Sequence, residues 1–167
     1  IILFCFAFCN YDTLKYDIKL YGISTAKCEV IISDTIFNDV DCIKAEYKVY
    51  STKIMDVFFN VNNSYVTIFD KNDYSIKFFT KHTIQPNLIN QVITHQKNKD
   101  LFYGDSNYKI SSNEYNIFTL LHRIASGNLI DTNKKIILDR EGKKYWGQII
   151  DKNKYIELFT EEINQDD

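Results

Sequence analysis

Proline is almost missing from this chain, at one residue in 167, and glycine is scarce at five. So little of either excludes a collagen-like or low-complexity chain. No run of apolar residues approaches the roughly 20 needed for a membrane-spanning helix, so no transmembrane helix is expected. Charge of one sign is lacking too: 20 basic residues stand against 22 acidic ones, for a net charge of −2. No basic stripe with interleaved glycines or aromatics is present, which argues against nucleic acid as a partner. Of four cysteines, only Cys28 and Cys42 lie beyond the first nine residues, too few for a disulfide-stapled scaffold. None of His82, His95 and His122 has a second histidine, cysteine or carboxylate at a recognised metal-ligand spacing. No nucleophile elbow, P-loop or dinucleotide fingerprint occurs. The sequence therefore implies no cofactor, no metal and no catalytic residue, and points away from an enzyme.

Aromatic residues are abundant, with 12 Tyr and 12 Phe, and they occur in alternating runs. Leu14, Tyr16, Ile18 and Leu20 alternate with Lys15, Asp17, Lys19 and Tyr21. Successive side chains of a strand point to opposite faces, so this is a strand with one buried and one wet side. The pattern predicts strands over 13–21, 23–33 and 42–51, with Gly22 as the first turn and 34–41 as a loop. A hairpin over 64–69 and 74–82 follows. Residues 51–59 suit a helical turn as well as a loop and strand, and Pro86 limits any helix in 84–96 to its C-terminal side. Short strands are expected at 101–103, 108–110, 136–138, 145–150 and 155–160. In the first hairpin Cys28 faces about Tyr47 rather than Cys42. Bridged cysteines need Cα atoms within about 7 Å, so two free thiols are expected.

One segment changes period. Over 114–126, Ile117, Phe118, Leu120, Leu121, Ile124 and Ala125 recur at helical spacing. Ser111 with Glu114 has the form of a capping box, and Gly127 suits a stop. Leu121 is the expected centre of the stripe against the sheet. The first nine residues are all apolar and end in Ala7 and Cys9, spaced like a signal-peptide cleavage site. The expected organisation is a signal-peptide remnant at 1–9, one β-rich domain at 10–160 and an acidic tail at 161–167.

From Tyr16-Asp17-Ile18-Lys19-Leu20-Tyr21-Gly22-Ile23, through Tyr47-Lys48-Val49-Tyr50-Ser51 and Tyr65…Phe69-Asp70, to Phe118-Thr119-Leu120-Leu121, the chain resembles the bacterial domain-of-unknown-function family 3108. The resemblance implies an exported envelope protein with a curved antiparallel sheet and no established activity. It sets Ser51 and Asp56 in a Ser/Asp segment after the third strand. The chain departs from the family in ending at Asp167 and in lacking the usual glycine-rich segment of the later half.

Taken together, these features predict a mainly β single domain, a curved antiparallel sheet or open β-barrel with one α-helix, in the periplasm or cell envelope. One helix cannot cover all the large apolar side chains expected on the inner face. That face is therefore expected to bind an apolar ligand such as a lipid, or an envelope protein partner, through Tyr16, Tyr47, Phe69, Phe78 and Leu121. The alternative is a structural or assembly module without a ligand.

Overall fold

Two-residue connections return the chain on itself repeatedly, and the residues in them suit the backbone they must adopt. Tyr21 and Gly22 lie at φ 49° and 81°, and Asn38 and Asp39 at 51° and 62°. Two successive residues with positive φ make the tight hairpin turn whose twist matches that of the strands. Pro86 with Asn87 at φ 62° makes a third. The computed structural model describes residues 13–97, 100–104, 109–110, 114–127, 135–140, 143–151 and 156–163. The expected signal-peptide remnant at 1–9 and residues 164–167 of the tail lie outside the described residues.

The strands are β1 (Leu14–Leu20), β2 (Ile23–Phe37), β3 (Val40–Ser51), β4 (Asn62–Asp70), β5 (Ile76–Gln85), β6 (Leu88–Lys97), β7 (Asp100–Tyr103) and β8 (Lys109–Ile110). They form one antiparallel sheet in sequence order. A short helix α1 (Lys53–Asp56) joins β3 to β4. A second sheet has the order β12-β11-β10-β9, from β9 (Glu114–Tyr115), β10 (Ile136–Arg140), β11 (Lys143–Asp151) and β12 (Ile156–Glu162). Its β9 and β10 are parallel, and α2 (Ile117–Ala125) is the crossover between them. The described residues are thus mainly β, with two sheets, two helices and no closed barrel among them.

Several expectations need correction. Residues 34–41 are not a loop, because Asn38-Asp39 closes the hairpin in two residues and pairing continues to Phe37↔Val40. Cys28 then lies opposite Val49, and Cys42 opposite Thr35. Both thiols are free and buried. No helix follows Pro86; it turns the chain into β6. Glu161 and Glu162 belong to β12, where Ile163 N donates to the Lys144 carbonyl at 2.9 Å. The second helix begins at Ile117, not at 114. Its cap is Asn116, whose Oδ1 accepts from Thr119 N at 2.8 Å, and Glu114 is a strand residue.

A bulge decides the fate of Phe78. Ile68 pairs with Phe78, but Phe69 pairs with Ile76, so Lys77 is the extra residue. A bulge reverses the alternation beyond it. Ile76 and Phe79 face the buried side with Phe69, while Phe78 faces the other way and meets Phe37 at a centroid distance of 6.2 Å.

The α2 helix lies between the two sheets and is apolar on both sides. Phe118 and His122 share one stripe and Leu120 and Ile124 another, as residues four apart do. Phe118 meets Tyr47 and Tyr65 of the large sheet at 4.5 and 4.9 Å. His122 meets Phe69 at 5.2 Å. Leu120, fully buried, packs with Ile136, Leu138 and Ile149 of the small sheet, joined by Ile124. Leu120 and not Leu121 is therefore the anchor; Leu121 is half-buried. Gly147 permits this packing, since a Cβ there would stand 3.0 Å from Leu138 Cδ1 and 3.1 Å from Ile136 Cγ1. Glu114 is buried to 2 % side-chain exposure, and Lys144 of β11 reaches its Oε1 at 2.5 Å. This pair ties β9 to the strand two places away.

Candidate functional site

The helix and the two sheets do not close completely on one another. Between them lies a cavity of about 420 Å³, within the roughly 300–1,000 Å³ typical of small-molecule sites. Each wall follows from the fold. The large sheet presents Tyr65 of β4, Phe79 and Lys81 of β5 and Tyr103 of β7. Tyr65 opposes Lys81 in the ladder, and odd-numbered positions past the bulge bring Phe79 and Lys81 to the same face. The start of α2 supplies Asn116, Ile117 and Phe118. The small sheet supplies Leu138, Asp139 and Arg140 of β10, Tyr145 of β11 and Thr160 of β12. Leu138 and Tyr145 are cross-strand partners.

Part of the lining is a cluster of aromatic rings in mutual contact. Phe118 lies 4.9 Å from Tyr65 and 6.1 Å from Phe79, and Phe79 meets Tyr103 edge-on at 5.9 Å. Asn116 is held by three groups at once: it caps α2, its Nδ2 donates to Thr67 Oγ1 at 3.3 Å, and its carbonyl accepts from Thr119 Oγ1 at 3.0 Å. Both sheets add charged groups to the lining: half-buried Lys81 from the large sheet, and buried Asp139 and exposed Arg140 from the small one. Among the described residues the lining carries no histidine, cysteine or serine. Its chemistry combines aromatic walls with a few charged groups of both signs, suited to binding an amphipathic molecule. Among the described residues no group of three or more His, Cys, Asp or Glu could hold a metal ion.

None of the five residues expected to bind a ligand lines this cavity. Tyr47 and Phe69 are buried on the helix-facing side, and both are occupied. The Tyr47 ring packs on Phe118 and its hydroxyl reaches the Phe118 carbonyl at 3.5 Å, while burial pushes its pKa up. Phe69 stacks on Tyr74 at 5.9 Å. Tyr16 is half-buried against the same cluster and borders a second, more polar hollow of about 210 Å³ with Lys15, Lys27 and Glu29. Phe78 is on the far face and Leu121 belongs to neither buried stripe of α2. The alternation of β4 puts Tyr65 on the same face as Phe69, but nothing local signals Lys81, Asp139, Arg140 and Tyr145, which only the packing of two sheets brings together.

Outside the cavity, His122 is lowered in pKa by burial, and Arg123 lies over the rings of Tyr74 and Tyr115 at 5.2 and 5.4 Å. The Cys28 thiol is pushed up to about 11, first by burial and then by Glu29, so it is a poor nucleophile. Ser51 donates a short hydrogen bond to Asp56, and Val61 N donates to Ser51 Oγ at 2.8 Å; the two residues of the Ser/Asp segment thus brace the α1 connection. No protein-family model, curated protein or solved structure matches this chain.

Proposed function

We propose that this domain is a non-enzymatic binding module of the bacterial envelope. It takes an apolar ligand with a polar end, such as a fatty acid, between α2 and the inner face of the large sheet. The observation that carries the reading is the 420 Å³ cavity, whose lining combines the rings of Tyr65, Phe79, Tyr103 and Phe118 with the charged groups of Lys81, Asp139 and Arg140. Aromatic walls supply burial without directional demand, and a few polar groups fix orientation. The export and family assignment in this proposal rests on the apolar 1–9 segment and on the resemblance to family 3108.

The competing reading is a structural or assembly module without a ligand. It is favoured by the packing of Phe118 on Tyr47, Tyr65 and Phe79, which fills much of the inner face from within. Native mass spectrometry of gently purified protein, with displacement of a fluorescent fatty acid, separates the two. A bound acyl species and displacement lost in Phe79→Asp support the binding module. Absence of both in the folded protein supports the structural one.

A further inference from the structure

The two ends of the large sheet differ in kind. A single ladder row, Lys27↔Tyr50↔Asn62↔Ile84↔Ile89, crosses β2 to β6 and shows that these strands end level. Beyond that row lie the β1–β2 turn, the α1 connection and the β5–β6 turn. All three carry large apolar side chains into solvent. Tyr21 is 96 % and Ile23 65 % exposed in the first; Val57 and Phe58 are 81 % and 79 % exposed in the second, beside Ile54. Leu88 stands in the third, next to Ile89 at 79 %. At the other end the described turns are Asn38-Asp39 and Lys71-Asn72-Asp73, all exposed and polar. Adjacent strands are about 4.8 Å apart, so the apolar rim spans roughly 24 Å from β1 to β6.

The charges of the rim indicate what covers it. Past the row the charged residues are Lys19, Lys53 and Asp56. Lys19 and Lys53 are exposed. Asp56 is exposed as well, and its Oδ1 takes hydrogen bonds from Ser51 and from Asn60 Nδ2. Two lysines against one carboxylate leave the rim a net positive charge, around apolar tips that stand on three separate connections. A symmetric second copy would set this net positive rim against its equivalent, since a two-fold interface places the same patch on both sides. A bilayer with anionic headgroups answers both features: hydrocarbon accepts spaced apolar tips, and the headgroups attract the lysines.

We propose that this end of the sheet docks on an anionic lipid bilayer, with Tyr21, Val57, Phe58 and Ile89 entering the headgroup and acyl boundary and Lys19 and Lys53 meeting phosphates. The proposal is independent of the cavity between the sheets. Its test is sedimentation with phosphatidylcholine vesicles, with and without a minority of phosphatidylglycerol. The expected result is co-sedimentation that needs phosphatidylglycerol and weakens with salt. Phe58→Asp and Ile89→Asp, on different connections, should each lower partitioning by about tenfold or more. Ile36→Asp, an exposed apolar site at the opposite end, should leave it unchanged. Circular dichroism confirms that each variant is folded, since all three side chains project into solvent. Wild-type protein left in the supernatant overturns the proposal, as does equal loss in all three variants. A wild-type dimer that Phe58→Asp converts to monomer, with sedimentation unaltered, also overturns it and assigns the rim to a second copy.

Discussion

In the eight-stranded sheet each strand pairs with its predecessor; in the four-stranded sheet β9 finds β10 only after residues 116–135 have intervened. The first sheet closes each contact across a turn, at little cost in chain entropy. The second must bring distant segments together before any contact repays the closure. The small sheet also has less of its own core, a cluster of Leu120, Ile136, Leu138 and Ile149 in which Leu120 comes from the helix. The comparison teaches that α2 is shared structure. Through Phe118 it completes the core of the large sheet, and through Leu120 it supplies that of the small one.

Changes to the two cores test that sharing, and they carry the largest expected effects. Phe69→Ala should destabilise by about 3–5 kcal/mol, because it removes a fully buried ring. Leu120→Ala should cost about 2–5 kcal/mol for the same reason. Trp146, the sole tryptophan, lies in β11 and reports on the small sheet, whereas far-ultraviolet circular dichroism is weighted to the larger one. Coincident urea transitions by the two probes, in both variants, are expected of one cooperative unit. Separate transitions, with Leu120→Ala moving only the tryptophan signal, would break the picture of a shared helix.

Lys144→Met comes next. It removes the cation that reaches buried Glu114 and leaves a carboxylate less compensated in the interior, at an expected cost of about 2–3 kcal/mol. Because the pair links β9 to β11, the loss should appear in the tryptophan transition. The double change with Glu114→Leu should recover most of it. Asn116→Ala should cost about 1 kcal/mol as a lost helix cap, somewhat more for its bond to Thr67. Thermal melting measures both. A larger effect for Asn116→Ala than for Lys144→Met would show that the start of α2, and not the Glu114 contact, sets the position of the small sheet.

What was legible in the chain follows the same division. The alternation of Leu14, Tyr16 and Ile18, and of Ile43, Ala45, Tyr47 and Val49, survives into the buried cluster of β1 to β4, because local pleat and burial agree there. Phe78 was misread because one extra residue, Lys77, shifts the phase, and a bulge leaves no mark in a hydrophobic pattern. Glu114 was misread because a Ser and a Glu three apart look like a capping box whether or not a helix begins there; its burial against Lys144 is a tertiary fact. Leu120 and Leu121 are both apolar at helical spacing, and only the presence of a second sheet selects Leu120. An uncovered apolar face beside the helix is an expectation of the pattern, but the cavity's charged lining is not, since Lys81 and Arg140 are far apart in sequence and come to one cavity through the packing of two sheets that no local signal pairs.

The smallest effect is expected where exposure is highest. Phe58 lies on the α1 connection at 79 % exposure and belongs to none of the buried clusters. Its backbone N donates to the Met55 carbonyl at 2.9 Å, a bond that any side chain except proline retains. Phe58→Ser should therefore alter stability by no more than about 0.5 kcal/mol, as surface substitutions away from special features do. An aromatic ring kept in solvent without contributing to stability needs another reason to be there. Urea denaturation of Phe58→Ser beside Phe69→Ala measures the contrast within one sheet. A loss above about 1 kcal/mol in Phe58→Ser would mean that the ring packs in solution, and the rim would then be part of the core instead of a surface held ready for a partner.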